Sequence, residues 1–367
     1  YEGILRNKVD NVKSNFFELG GSSLMAMELI FSVNSLFNIE LSTRSFFENS
    51  KISEVSKLVD KLIIDNIKPS SSQGIIKIKP RERYKLSDAQ SRMWFLYELN
   101  RKSSLYNVLQ VTKISGNLDV VALENSIAEV IKRHSILRAN FGGANGEPFQ
   151  KINDNAKIKL EKIYLSKVKS KKDFFIRKEI NKVFQKPFSL EKDILFRAKL
   201  IILSGNKYLL CLCLHHIVCD GWSMFVMNEE IGKNYREIKK YGYGSEEGID
   251  LQYSEYAEWT HGNQYSKKIN EQEKFWLNEF KEKPQAISLP LERKNILEVS
   301  NLNVVRAKIN NATFKNIRKA CRVNDVTYFM FLLSCFYLFL GRMANIDDIT
   351  IGTPIANKPY DDLKKLI

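Results

Sequence analysis

Leu214-His215-His216-Ile217-Val218-Cys219-Asp220-Gly221-Trp222-Ser223 is the stretch on which the reading of the chain turns. Two apolar segments, 196–203 and 208–214, flank Ser204-Gly205-Asn206-Lys207, which predicts a β-hairpin whose second strand runs into the histidines. Neighbouring strand residues face opposite ways, so one histidine is expected to face inward and the other a cavity at the strand end. The same alternation argues against both holding one metal ion. With no HExxH spacing and no second His/Cys cluster, no metal is expected. A serine nucleophile would need a G-x-S-x-G elbow, which is lacking. What remains is one imidazole placed for proton handling near neutral pH, with Asp220 orienting the site and Gly221 permitting a tight turn. On spacing alone, a structural pair of histidines fits equally well.

Outside this stretch the chain has globular composition: 367 residues, 44% hydrophobic and 27% charged. That length suits two or three cores. Five cysteines with no CxxC pair argue against a disulfide scaffold and fit buried thiols in a reducing, cytoplasmic setting. The longest apolar run, Val326 to Leu340, covers 15 residues, short of the roughly 20 that a bilayer crossing needs. It is therefore expected to be a buried core helix, with Phe329, Leu332, Leu333 and Phe336 in the core. The N-terminus lacks the basic-then-apolar pattern of a signal peptide, and Tyr1 is no initiator, so the chain is expected to be a piece of something longer.

Lys68-Pro69-Ser70-Ser71-Ser72-Gln73-Gly74 is polar and breaker-rich, and a linker is expected over residues 67–81. Residues 1–68 carry a net charge of −1, which leaves +16 on the remaining 299. The lysines of the large part are scattered among acidic and apolar neighbours, and Lys167–Lys172 reads as a solvated helix start. No nucleic-acid partner is expected from this pattern.

Residues 1–66 predict a small helical bundle. Ser23 to Phe37 is periodic, with Leu24, Met27, Ile30 or Phe31, and Val33 or Phe37 on one stripe, and a second helix begins near Ser53. Before the first lies Phe16-Phe17-Glu18-Leu19-Gly20-Gly21-Ser22-Ser23-Leu24. Two glycines allow a sharp turn and close approach, and a serine at a helix N-terminus sits where a phosphate is favoured. A plain N-cap would also account for Gly-Gly-Ser-Ser taken alone.

The whole string FFELGGSSL resembles the attachment motif of peptidyl carrier proteins. The resemblance implies that Ser23 carries 4′-phosphopantetheine, with Ser22 at the variable position. It extends from about Asn15 to Val59 and includes Phe46-Phe47 in an expected short third helix. Most of the family's first helix is missing. In the large part, HHIVCDGWS resembles the HHxxxDG signature of condensation domains of nonribosomal peptide synthetases. Four further strings match that family in order over about 270 residues: SDAQSRMWFL from Ser87, RHSILRANF from Arg133, YSEYAEW from Tyr253 and IGTPIAN from Ile351. Two departures stand out, Glu255 where aspartate is usual and Lys358 where arginine is common.

The resemblance implies a multidomain chain. A small all-α four-helix carrier bundle (1–66, first helix incomplete) precedes an α/β (α+β) condensation domain (82–367) of the chloramphenicol-acetyltransferase-like two-lobed type. The first lobe would span about 82–265 and the second about 283–367, truncated. It also implies amide-bond formation between a donor acyl or peptidyl thioester on Ser23 and an aminoacyl acceptor on a downstream carrier, with an L-configured donor. His216 is the expected catalytic residue, His215, Asp220 and Gly221 its support, and Arg138 or Arg342 the candidate buried partner of Asp220. Other implied partners are an upstream adenylation domain and a phosphopantetheinyl transferase. Two alternatives share parts of the pattern: an epimerisation domain, disfavoured by SDAQSRMWFL, and a non-catalytic carrier-docking module, disfavoured by His216. A heterocyclisation domain would carry aspartate in place of the histidines.

Overall fold

A computed structural model describes all residues except 6–8, 10, 22, 38, 40, 66–77, 145, 157, 167–171, 245–247, 290–304, 306, 325, 354–362 and 364. Ser22, most of the expected linker, the Lys167 helix start, Lys358 and residues 354–357 of the last family string therefore lie outside the described residues. The chain divides into two units, Tyr1–Gln73 with Leu277–Pro354, and Gly74–Trp276 with Ile355–Ile367.

In the first unit α1 (Glu2–Leu5), α2 (Ser23–Phe37), α3 (Thr43–Glu48) and α4 (Ile52–Ile64) close around Phe16, Ala26, Leu29, Ile30, Phe46 and Val55. The buried stripe of α2 is Ala26-Leu29-Ile30, with Val33 packed against it, while the expected Phe37 is exposed. That spacing of three, one and three keeps one face continuous; Phe37 falls on the same face by spacing but is exposed at the last position of the helix. Phe16 and Phe46 meet edge to face at 5.5 Å. Helix α4 begins at Ile52, after Lys51, so Ser53 lies inside its first turn.

The second unit is built on a four-stranded sheet and a three-stranded one. Its elements are β1 (Tyr84–Lys85), α5 (Asp88–Leu99), β2 (Asn107–Ser115), α6 (Val120–Arg133), β3 (Ala139–Ala144), β4 (Glu147–Ile152), β5 (Leu160–Tyr164), α7 (Lys172–Phe184), β6 (Phe196–Ile202), β7 (Lys207–His215), α8 (Gly221–Tyr241) and α9 (Tyr253–Trp259). The larger sheet runs β2-β7-β6-β5, antiparallel except for the β5/β6 pair; the smaller runs β1-β4-β3. The expected hairpin is β6–β7, turned at Gly205 and Asn206, both with positive φ. As an inner strand, β7 is apolar on both faces from Leu209 to Leu214, all of it buried. Lys199, buried on β6, is paired with Glu179 at 3.0 Å and Glu161 at 3.2 Å, which removes the cost of an isolated buried charge.

Helix α10 (Asn263–Glu279) precedes α11 (Asn311–Val323) and α12 (Tyr328–Ala344). The apolar run does form α12, capped by Thr327 and closed by Asn345 at φ 53°. It is not a buried core helix: no residue of α12 is buried, and Phe329, Leu332 and Phe336 are about half exposed. A helix apolar all round must be covered on every side to be buried, and among the described residues the main helix packed on α12 is α11. No single described helix is long and apolar enough to cross a membrane.

Candidate active site and carrier attachment site

Strand β7 delivers the histidine pair to the end of the larger sheet, where His215 lies opposite Asn107 of β2. His215 is the last strand residue, and His216 opens a 3-10 turn that runs to Val218. The two side chains separate where the strand ends: His215, still in β7, is buried, and His216, the first residue of the 3-10 turn, is exposed. Phe188 meets the His215 ring edge to face at 6.3 Å. Its Nδ1 accepts the backbone N–H of Ile217 at 3.2 Å, which requires an unprotonated nitrogen there. Burial, with a smaller contribution from the neighbouring His216 charge, pushes the His215 pKa down to about 4. His215 is thus a neutral strut.

His216 is anchored by its backbone, whose N–H donates to the Tyr106 carbonyl at 2.8 Å. Its imidazole lines a cavity of about 190 Å³ together with Gln90, Arg92, Met93, Asp220 and Tyr253. Among the described residues no group hydrogen-bonds the His216 ring, so its nitrogens are left without a competing partner at the cavity. That is the state a positioned acid-base group requires.

Asp220 does not pair with a buried arginine. It is the N-cap of α8: Oδ1 accepts the backbone N–H and the hydroxyl of Ser223, both at 2.7 Å, and the Ser223 Oγ accepts the Asp220 N–H at 3.0 Å. This capping box satisfies the carboxylate locally, so no distant cation is needed. Arg138, one expected partner, donates instead to Asp154 at 2.7 Å and to the Ile131 carbonyl. Asp220 has no basic partner among the described residues. The turn between β7 and α8 does not depend on glycine at 221: Gly221 starts α8 without positive φ, and an added Cβ would meet nothing within 4 Å.

Sequence reasoning left out the opposite wall of the cavity. Ser87 and Gln90 form the capping box of α5, and the Ser87 hydroxyl meets the Tyr253 hydroxyl at 2.9 Å. Burial raises the Tyr253 pKa, and the Asp220 carboxylate adds to the effect. The signal was present, because these residues lie in SDAQSRMWFL and YSEYAEW, strings quoted for resemblance but given no place in the site. Glu255, the departure from the usual aspartate, accepts the Gln252 N–H at 2.8 Å and so caps α9. His134, in RHSILRANF, is buried against Glu230 at 3.0 Å and is structural.

In the first unit, Ser23 is the first residue of α2, a helix of 15 residues whose leading N–H groups have no partner within the helix. The turn before it needs both glycines. Gly20 has φ +97°, and a Cβ on Gly21 would collide with the Phe16 ring at 2.3 Å. A rigid glycine turn leading to a serine at a helix start fits attachment of a phosphodiester, because free N–H groups and the helix dipole favour its charge.

Comparison with known proteins finds a family for each part of the chain. The model of the condensation domain matches residues 80–367, and that of the phosphopantetheine attachment site matches residues 2–59. The chain is 30% identical over 373 residues to bacitracin synthase 3 of Bacillus licheniformis, and 30% identical over 369 residues to gramicidin S synthase 2 of Brevibacillus brevis. Each match spans 100% of this chain but only 6% and 8% of those relatives, respectively. Among solved structures, the X-domain from teicoplanin biosynthesis is similar at a TM-score of 0.69 with 23% identity, over 80% of this chain and 65% of that one. The first condensation domain of the calcium-dependent antibiotic synthetase, in complex with a substrate analogue, gives 0.61 with 19% identity, over 73% and 62%. These likenesses support the two-lobed condensation fold. The chain belongs to the condensation-domain family of nonribosomal peptide synthetases, and carries a phosphopantetheine-attachment carrier domain ahead of its condensation domain.

Proposed function

We propose that this chain joins a donor acyl or peptidyl group, held on its own carrier at Ser23, to an aminoacyl group presented by a downstream carrier. The carrier spans residues 1–66, the linker 67–81 and the condensation domain 82–367. When bound at Ser23, phosphopantetheine supplies the thiol that holds the donor as a thioester. The acceptor α-amine would attack the thioester carbonyl, a C–N bond replacing the C–S bond, and the one proton the amine loses would pass by way of His216 to the departing sulfur. His216 holds the amine in line and takes up its proton as the bond forms. Asp220, through the start of α8, and His215, through the Ile217 N–H, hold the turn that presents it. An upstream adenylation domain supplies the donor module, a phosphopantetheinyl transferase primes Ser23, and the reaction belongs in the cytoplasm, with an L-configured donor.

The observation that carries this reading is the contrast between the histidines. His215 is neutral, buried and bonded; His216 is open to a cavity with both nitrogens available. General acid-base help of this kind is worth roughly 10²–10⁴-fold, and holding two tethered substrates together adds effective molarity. Incubating loaded donor and acceptor carriers and scoring amide against epimerised donor tests it. Amide with unchanged donor configuration supports condensation, whereas epimerised donor without amide would point to an epimerisation domain.

A further inference from the structure

The cavity that His216 lines holds a polar group that the proposed chemistry leaves unused, the hydroxyl of Tyr253. The Ser87 and Tyr253 hydroxyls lie 2.9 Å apart and carry two protons but share one hydrogen bond, so one proton is left over. Ser87 is 3% exposed, does not line the cavity, and its Oγ already accepts the Gln90 N–H at 3.3 Å. Were Tyr253 to donate to Ser87, the Ser87 proton would be buried with no acceptor among the described residues, a costly state. With Ser87 as the donor, the proton left over is that of Tyr253, at the cavity.

The phenol is also held in place. Tyr253 is the first residue of α9, and its ring meets Tyr256 edge to face at 5.5 Å. The side chain of the preceding Gln252 is tied down at both ends. Its amide oxygen accepts the N–H and the hydroxyl of Ser135, each at 2.9 Å, and its amide nitrogen donates to the Arg133 carbonyl at 2.9 Å. Burial raises the phenol pKa further than the Ser87 hydrogen bond lowers it, so Tyr253 stays protonated at neutral pH.

We propose that Tyr253 is a second catalytic residue, its O–H donating a hydrogen bond to the thioester carbonyl oxygen as negative charge gathers there. This rests on the condensation reading above. Amine attack moves the carbonyl π pair onto oxygen; as the C–S bond breaks, that pair returns to the C=O bond, and Tyr253 keeps its proton throughout. A donor fixed in place before the reaction stabilises this charge without reorganising.

The test is single-turnover amide formation in the synthetase, from loaded donor and acceptor carriers over a range of acceptor concentrations. Tyr253→Phe removes one oxygen and keeps the ring, so its melting curve should match wild type. Its maximal rate should fall roughly 10²–10³-fold, as on loss of one oxyanion donor, with the half-saturating acceptor concentration unchanged. A fluorotyrosine placed at position 253 keeps the O–H and should keep the rate. An unchanged maximal rate for Tyr253→Phe overturns the assignment and leaves condensation standing. A loss confined to the half-saturating concentration, or accompanied by a lower melting temperature, also overturns it. No amide from the wild type strikes the condensation reading, and the assignment with it.

Discussion

Asp220 and Ser223 satisfy one another: the Asp220 Oδ1 takes both the N–H and the hydroxyl of Ser223 at 2.7 Å, while the Ser223 Oγ takes the Asp220 N–H at 3.0 Å. The aspartate of the histidine signature thereby starts α8 and fixes the far end of the turn that carries His216. Its contribution is that of a helix cap, without the larger energy of a buried ion pair.

The cap has a measurable size. Asp220→Ala should cost about 0.5–2 kcal/mol, the usual loss for an N-cap, and Asp220→Asn less because an acceptor oxygen remains. Thermal melting of the two variants checks this. A loss of about 3–5 kcal/mol for Asp220→Ala would instead indicate a stranded buried charge.

Acid should weaken the fold through His215. In the unfolded chain its imidazole takes a proton near pH 6.5, whereas in the folded chain it resists until about pH 4. Between those values the unfolded state binds more protons, so this contribution is complete above pH 6.5 and is lost as pH falls towards 4. The full span corresponds to about 3 kcal/mol. Denaturation midpoints for wild type and His215→Asn between pH 7 and 4.5 should show the shallower acid loss in the variant. Parallel curves would mean that His215 is not held neutral by the fold.

Burial also ranks the leucines. Leu214→Ala, at a fully buried position on β7, should cost about 2–5 kcal/mol, while Leu338→Ala on the exposed side of α12 should stay within about 0.5 kcal/mol of wild type. Similar losses at the two positions would show that α12 is covered.

Priming should be confined to one serine. A phosphopantetheinyl transferase is expected to add one group to the wild-type chain and none to Ser23→Ala, as read by intact mass. Equal modification of both proteins would remove Ser23 from the account.

Local signals were legible in the sequence and distant ones were not. The β6–β7 hairpin could be read because Ser204-Gly205-Asn206 interrupts two apolar runs, and the expected separation of His215 from His216 holds because the strand ends between them. The Tyr253–Ser87 contact spans 166 residues, and no periodicity reports such a pairing. Asp220 was matched to an arginine because a buried carboxylate demands a partner; the serine three residues on meets that demand locally. Helix α12 was legible as a helix, but an all-apolar pattern states only that cover is needed, not what supplies it.

The most direct measurement of the central claim is amide yield from loaded donor and acceptor carriers, comparing wild type with His216→Ala in the synthetase. The account predicts a folded variant with an unchanged melting curve and amide formation lowered by roughly 10²–10⁴-fold, since the open imidazole is removed while the Asp220 cap and the His215 strut remain. Near-normal amide yield from His216→Ala would contradict it, leaving substrate positioning, not His216, as the source of catalysis.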